Sequence, residues 1–368
     1  MKICGICGQK KSCDFLRPIG VDSNSLAETN NSRSGSTGTA ISGEMCGLDS
    51  WRPSAGPAVL RARANLLRRI RGFFADLGVM EVETPIASRA ATSDPALHSL
   101  QTGWSGAGPR PQTLYLQTSP ELPMKRLLAG GSGPIFQICK VFRDGERGAL
   151  HHPEFSLLEW YRPYLGYRTL MKEVADLVRY ALERPELPVR YISYRELFQV
   201  YLGLDPMRAD GEILRQAAVS VPGSRELDLD RDGWLDLLLT RWIEPRLGRG
   251  QLSFVYDYPP SRAALARSRR EPQPVAERFE LYLEGMELAN GFQELTDPAE
   301  QRWRFDTNLR ERSARGLDRP PLDEAFLAAL EAGMPEAAGV ALGLDRLLMV
   351  ATGSTHIDQV LAFPVERA

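Results

Sequence analysis

Two arginines in this chain stand where a backbone could deliver them to an anion. Arg143 opens the run F-R-D-G-E-R-G-A-L-H-H-P-E-F, from Phe142 to Phe155, and Arg346 closes G-V-A-L-G-L-D-R, from Gly339 to Arg346. A guanidinium is always charged and presents a planar fork of donors that fits phosphate or carboxylate. Between Ile135 and Arg143 the alternation of residue types reads as a strand, with Gln137, Cys139, Val141 and Arg143 on one face. After a polar loop, a second run from Phe155 to Tyr161 puts Phe155, Leu157, Glu159 and Tyr161 on one face. The two runs form a hairpin with a long, charged, histidine-bearing loop, a shape suited to wrapping an anionic ligand. Near the C-terminal end a strand of small residues gives way to a helix at about Leu344. That places Arg346 near a helix N-terminus, where the dipole and the guanidinium both favour bound phosphate.

These residues need a scaffold, and its elements can be read along the chain. From Val59 the apolar residues Leu60, Ala64, Leu67, Ile70, Phe74 and Leu77 recur at helical spacing, and Gly78 closes the helix. Val79 to Thr84 alternates as a short strand ending at Pro85. Met171 to Leu182 and Glu324 to Ala332 read as helices, and Pro185 to Pro188 marks a connector. Strand-like runs lie at Leu114 to Gln117, Ile135 to Phe142, Phe155 to Tyr161, Phe279 to Tyr282 and Val340 to Gly343. Helices interrupt these runs without alternating strictly with them. The expected class is therefore α+β, an antiparallel sheet flanked by helices, with no repeat and no glycine signature of a P-loop or dinucleotide fold.

Composition narrows the setting. In 368 residues, 25% are charged and 43% hydrophobic, ordinary values for a globular chain able to bury a core. The formal net charge of −2 gives the molecule as a whole no electrostatic footprint for nucleic acid. No apolar run is long enough to span a membrane and the start lacks the apolar core of a secretory signal, so the expected location is the cytoplasm, with no membrane partner. Residues 1–49 are rich in Ser, Thr, Gly and Asn, a composition that cannot bury enough apolar surface to order itself. They are expected to be a disordered extension, with residues 1–44 dispensable or a mis-assigned start, and 50–368 the catalytic domain. Cys4 and Cys7 make C-x-x-C, half of a zinc pattern, but Cys13 and Cys46 supply no second pair and no histidine lies nearby. The expectation is a tail that carries thiols and no metal.

The two arginine segments, with G-V-M-E-V-E-T-P from Gly78 to Pro85, resemble the three signature motifs of class II aminoacyl-tRNA synthetases. The likeness extends to the lysyl branch through T-S-P-E-L-P-M-K-R (Thr118 to Arg126), H-H-P-E-F-S-L-L-E-W-Y (His151 to Tyr161) and M-E-L-A-N-G-F-Q-E-L-T-D (Met286 to Asp297). The resemblance implies activation of an amino acid by ATP with Mg²⁺, and a homodimer built on the first helix and strand. Arg143 would bridge the amino-acid carboxylate and the α-phosphate, Arg346 would hold the γ-phosphate, and His151 would lie by the phosphate tail. Phe155 would stack on adenine. Asp144, Gly145, Glu146, His152, Glu287, Leu288 and Gly343 complete the implied ATP contacts. Glu280 and Glu287, flanking a hairpin turn at Glu284–Gly285, would hold Mg²⁺. Strict alternation sets Glu287 on the face opposite Asn290, Phe292 and Glu294, and a bulge near Gly291 would reconcile them. A lysine-like substrate has two ammonium groups. Glu121 and Glu294 would pair them, with Tyr161 and Asn290 donating hydrogen bonds and Ser119, Pro120, Phe292 and Ala341 completing the pocket.

Within that branch, the segment from Trp51 to Ala368 is most similar to truncated lysyl-tRNA synthetase paralogues that modify bacterial elongation factor P. The absent OB-fold anticodon domain, E-W-Y-R-P (Glu159 to Pro163), E-L-A-N-G-F (Glu287 to Phe292) and S-A-R-G-L (Ser313 to Leu317) carry that likeness. Ala341, where lysyl-tRNA synthetases usually have Gly, is compatible with a β-amino acid. The resemblance thus implies (R)-β-lysine or lysine as donor and elongation factor P as protein acceptor, with a tRNA partner not expected. A lysyl-tRNA synthetase-like enzyme charging tRNA or another small acceptor, and a non-catalytic binding paralogue, are the alternatives. Two positions depart from the family pattern. Gly145 stands where an acidic residue is usual, with Glu146 one step later, and His152 replaces the Asn of H-N-P-E-F that is associated with ATP.

Overall fold

A computed structural model of the chain describes residues 51–106 and 112–368. The cysteine-bearing tail and its expected disorder lie outside the described residues. The scaffold is a nine-stranded mixed sheet with helices on both faces. Its strands are β1 (Met80–Glu81), β5 (Ile135–Phe142), β6 (Glu154–Pro163), β7 (Val189–Ser193), β8 (Leu252–Tyr258), β9 (Ser268–Arg269), β10 (Val275–Leu283), β11 (Met286–Gln293) and β12 (Ala337–Gly343). Strands β2 (Ala87–Ser88), β3 (Gln101–Trp104) and β4 (Gln112–Leu116) form a separate small sheet. The main order is β1-β5-β6-β12-β11-β10-β8-β7, with β9 paired to β10. All neighbours are antiparallel except β1 with β5 and β7 with β8, at the two edges. The expected all-antiparallel sheet is corrected in those two places, and the Leu114–Gln117 run belongs to the small sheet. The strand expected over Val79 to Thr84 pairs only at Met80 and Glu81.

Helices α1 (Pro57–Asp76), α3 (Tyr167–Leu182) and α9 (Leu344–Thr352) cover one face. Helix α3 buries Leu170, Met171, Val174, Leu177, Val178 and Ala181. Helix α1 turns Leu66, Ile70 and Phe74 inward, an i, i+4, i+8 stripe. Leu60 and Leu67 are only half-buried, and Ala64 and Leu77 are exposed, so the inward stripe is narrower than the apolar spacing implied. Phe74 stacks on Phe136 at 4.4 Å and meets Trp160 edge-on at 5.4 Å. Contacts of this kind add about 0.5–1.5 kcal/mol each beyond burial. The even residues of β6, Leu158 and Trp160, join this core together with Ala338, Val340 and Leu342 of β12 and Phe279 and Leu281 of β10. Alternation therefore sends Phe155, Leu157, Glu159 and Tyr161 to the opposite face.

That second face is partly enclosed by α2 (Glu121–Ala129), α7 (Pro298–Ala314) and α8 (Glu324–Gly333), which pack around Phe305, Phe326 and Leu330. Helices α4 (Tyr194–Leu202), α5 (Gly211–Ala217) and α6 (Arg231–Leu237) lie in the excursion between β7 and β8. Glu284 and Gly285, with φ of 53° and 75°, make the two-residue turn between β10 and β11. Positive φ at both positions matches the right-handed twist of a hairpin. Beyond it the register slips. Glu280 faces Asn290 and Leu281 faces Ala289, but Tyr282 faces Glu287. The bulge thus falls at Leu288 and not near Gly291, and it re-aims Glu287 toward the site.

Candidate functional site

Residues of β2, β4, β6, β10, β11, β12, α2 and α7, with Arg143 just past the end of β5, line a cavity of about 310 Å³. At its inner end Glu121, Glu159 and Glu294 converge. Lys125, fully buried one helical turn after Glu121, is 2.6 Å from Glu121 Oε1 and 2.5 Å from Glu294 Oε2, and its ammonium lies 5.2 Å from the Phe292 ring centroid. Burial pushes the Lys125 amine down, but Glu121 and Glu294 outweigh it and hold the amine above its ordinary value. The lysine is charged. Three carboxylates face one ammonium here, so full ionisation would leave two negative charges uncompensated.

The carboxylates register that imbalance. Glu159 accepts from Ser119 Oγ at 2.7 Å and Tyr161 OH at 2.5 Å, yet burial, together with Glu121, pushes it up to about 7. Burial pushes Glu294 up to about 8 although Lys125 opposes it, and its Oε1 is buried without a hydrogen-bond partner. Gly339 leaves the room. A Cβ there would lie 2.4 Å from both Glu294 Oε1 and the Tyr161 ring. Ala341 lies between Glu159 and Asn290, directly across from each in the sheet. Pro120 is the N-cap of α2 and presents Glu121. All eight expected substrate contacts border or support this end of the cavity.

Arg143 forms the other end. It is 4% exposed, donates from Nε to Thr118 O at 3.3 Å, and stacks over Phe155 with 5.0 Å to the ring centroid. Its Nη1 has no hydrogen-bond partner, the closest carboxylate being Glu146 at 3.8 Å. A buried guanidinium with a free donor is an anion site. Phe155 leads into a second, smaller cleft shared by Glu146, His151, Gly343 and Arg346. Arg346 stands in the first turn of α9 and donates to Glu287 O at 2.8 Å, with its Nη2 2.7 Å from His151 Nε2. Burial and the two arginines push His151 down to about 3, so the ring is neutral and its Nε2 accepts. Asp345 fixes this turn: it accepts from Ser156 N at 2.6 Å and pairs with Arg63 of α1. Asp144 and Gly145 are exposed in the loop, the latter with φ 77°, and Leu288 turns its side chain into the core, leaving only its backbone to the cleft.

The two metal-ligand candidates differ. Glu287 is buried, its Oε1 has no partner, and its Oε2 is 3.6 Å from Arg346. Burial and Glu280 raise it above the ordinary carboxylate range. A hard, unsatisfied oxygen beside two arginines fits a phosphate-bound Mg²⁺. Glu280 is fully engaged, accepting from Tyr258 OH at 2.6 Å, Tyr282 OH at 2.5 Å, Asn290 Nδ2 at 3.3 Å, and Arg278. Burial is the largest influence and works against its charge, but Arg278 and the Tyr258 and Tyr282 hydroxyls act together to hold it below the ordinary range. As placed it offers a metal no free oxygen. His152, expected at ATP, is tied instead to the backbone of Glu154 and Val365.

Three side chains that border these sites were not among the sequence candidates. Glu159 sits on the same strand face as Tyr161, and parity alone could have named it. Lys125 makes an i, i+4 pair with Glu121 inside a quoted motif. Glu244, in the short 3₁₀ turn Glu244–Arg246, is pushed up to about 8 by burial and Glu287, and no local pattern marks it.

The model of the family described as tRNA synthetases class II (D, K and N) matches residues 47–367 of this chain. Among known proteins, the elongation factor P–(R)-β-lysine ligase of Edwardsiella ictaluri (strain 93-146) is 49% identical over 327 residues, covering 88% of this chain and 100% of its own. Proteins of the same name from Pectobacterium carotovorum subsp. carotovorum (strain PC1) and Salmonella arizonae are 49% and 48% identical, over 328 and 321 residues. Those alignments cover 88% and 86% of this chain, and 100% and 98% of the relatives.

Proposed function

The chain belongs to the class II tRNA synthetase family (D, K and N), and from that premise we propose that it is an ATP-dependent ligase that activates (R)-β-lysine or lysine and transfers it to a lysine side chain of elongation factor P. The observation that carries the reading is the charge count at the inner end of the cavity. Two carboxylates in excess of the cations in a buried pocket, with an arginine at the opposite end whose Nη1 has no hydrogen-bond partner, suit a molecule bearing two ammonium groups and one carboxylate. Relatives matched along essentially their whole length carry elongation factor P and (R)-β-lysine in their name, which supports the acceptor and the donor.

In the first step a carboxylate oxygen of the amino acid bonds to the α-phosphorus of ATP, the bond to the β-phosphate bridging oxygen breaks, and pyrophosphate leaves. Arg143 stabilises the charge that gathers on both anions, and its fixed position makes the donation ready before reaction. Arg346, steadied by the neutral His151, holds the phosphate tail, and Phe155 offers a flat apolar face to the adenine. Mg²⁺ supplies charge neutralisation on the phosphates, and Glu287 is the side chain that would hold it, with Glu280 joining only by giving up a hydrogen bond. In the second step the acceptor lysine's neutral amine attacks the activated carbonyl carbon, AMP departs, and the surplus proton goes to solvent.

The exposed apolar residues Leu77, Met80 and Ile86, at the end of α1 and beside β1, support a homodimer built on that edge. The protein acts in the cytoplasm, and residues 50–368 form its catalytic domain. The test of activation is pyrophosphate exchange that requires ATP, Mg²⁺ and a diammonium amino acid. Exchange should start with (R)-β-lysine or lysine and not with leucine or glutamate. Exchange that ignores the second ammonium group would remove the reading's foundation.

A further inference from the structure

His152 has no ring nitrogen left for a nucleotide. It is 4% exposed, Nε2 accepts from Val365 N at 2.9 Å, and Nδ1 lies 2.5 Å from Glu154 O. Because Nε2 accepts, the network assigns the proton to Nδ1. The partner of Nε2 belongs to the last stretch of the chain, residues 354–368, which runs along the outside of the loop between Arg143 and Phe155. Ile357 N donates to Ala149 O at 2.7 Å. Arg147 reaches Asp358 and Glu366, each at 2.7 Å. The stretch is itself held from behind: Ser54 N and Ala55 N donate to Ala362 O and Leu361 O, and Arg63 donates to Val360 O at 2.9 Å.

The structure assigns His152 as a positioning residue that bolts the phosphate-side loop to the C-terminal segment, so that Glu146 and His151 stand ready beside Arg143 and Arg346. The side chain acts on the nucleotide through the loop and touches no phosphate. Of the three ties, the Arg147 ion pairs are part-exposed and screened by solvent, and so hold weakly. The His152–Val365 bond ends on an imidazole that is 4% exposed, and losing it leaves that buried ring nitrogen without its donor. The link to ATP rests on the proposed function; the latch itself does not.

The test uses two routes to the same bond in the full chain. His152→Asn keeps an amide at the level of Nδ1 and is too short to reach Val365, whereas His152→Gln places an amide oxygen near the level of Nε2. Val365→Pro deletes the donor. Val365 is the first residue of a 3₁₀ turn, where proline is tolerated, and Pro364 already has the extended ψ of 161° that a following proline demands. His152→Asn and Val365→Pro should each raise KM for ATP about threefold to tenfold, with kcat and KM for the amino acid unchanged. The double variant should be no worse than either single one, and His152→Gln should recover near-native KM. In the nucleotide-free protein both single variants should speed amide hydrogen exchange at residues 147–151.

Native exchange rates in both variants would overturn the latch, whatever the chain does with ATP. Faster exchange with a native KM for ATP would overturn its role in nucleotide binding. A His152→Gln variant as impaired as His152→Asn, beside a native Val365→Pro, would show that the imidazole contacts the nucleotide itself. A wild-type chain that does not use ATP defeats the functional reading and leaves the exchange rates to decide on the latch.

Discussion

Gly339→Ala presses on the amine pocket with one methyl group. The added Cβ would sit 2.4 Å from Glu294 Oε1 and 2.4 and 2.5 Å from two atoms of the Tyr161 ring. Carbon contacts settle at about 3.5 Å, so close to 1 Å must be found. Neither neighbour yields freely. Glu294 is held by Lys125 at 2.5 Å, and Tyr161 by its hydroxyl bond to Glu159 at 2.5 Å. Overpacking of this kind costs about 1–3 kcal/mol of stability. A carboxylate moved by that amount loses most of a charge-assisted hydrogen bond to a substrate ammonium, about 1.5–3 kcal/mol, or roughly 10- to 150-fold in KM. Pyrophosphate exchange with (R)-β-lysine reads that change, and KM for ATP, set on the far side of Arg143, should not move. A folded Gly339→Ala protein, checked by thermal melting, with native KM for the amino acid would refute the assignment of this cavity to the amines.

Arg143→Ala should lower exchange by about 100-fold or more, because the guanidinium stabilises charge that develops mainly in the transition state; the ATP-dependent exchange rate at saturating substrates measures it. Glu287→Gln should raise the Mg²⁺ concentration for half-maximal exchange by about tenfold or more, since it removes a buried carboxylate oxygen that has no hydrogen-bond partner among the described residues. Amino-acid binding should strengthen as pH rises from 6 to 8. Glu159 and Glu294, raised to about 7 and about 8, must shed protons to receive ammonium groups, which weakens binding by up to about tenfold per pH unit below each value. Calorimetry in two buffers of different ionisation enthalpy should record proton release on binding. The empty fold responds oppositely, losing stability as pH climbs from the ordinary carboxylate range toward 8, because folding favours these groups protonated.

What could be read along the chain and what could not divide on physical lines. Period-two alternation in β5 and β6 placed Arg143, Phe155, Glu159 and Tyr161 on one face, as found, because a strand's side-chain period is set by its own backbone. The start of α9 at Leu344 and the turn at Glu284–Gly285 followed from small residues and glycine, which act locally. The parallel edges β1–β5 and β7–β8 escaped notice because pairing direction is decided by distant segments. The parity conflict at Glu287 did call for a bulge, but its position depends on how β11 packs, and it fell at Leu288. Lys125 and Glu244 matter through neighbours far off in sequence, Glu294 and Glu287, so their roles emerge only once the sheet is assembled. His152 read as a nucleotide contact by its place in a motif; it borders the smaller cleft, but both its ring nitrogens are engaged by backbone groups.

The central claim is that a diammonium amino acid is activated in this cavity and delivered to a protein. Purified chain, ATP, Mg²⁺ and labelled (R)-β-lysine should be offered elongation factor P and bulk tRNA in one mixture, with and without ribonuclease. Label should accumulate on elongation factor P, require ATP, and survive ribonuclease. Label on tRNA with elongation factor P left bare would contradict the account and make the chain a tRNA-charging enzyme.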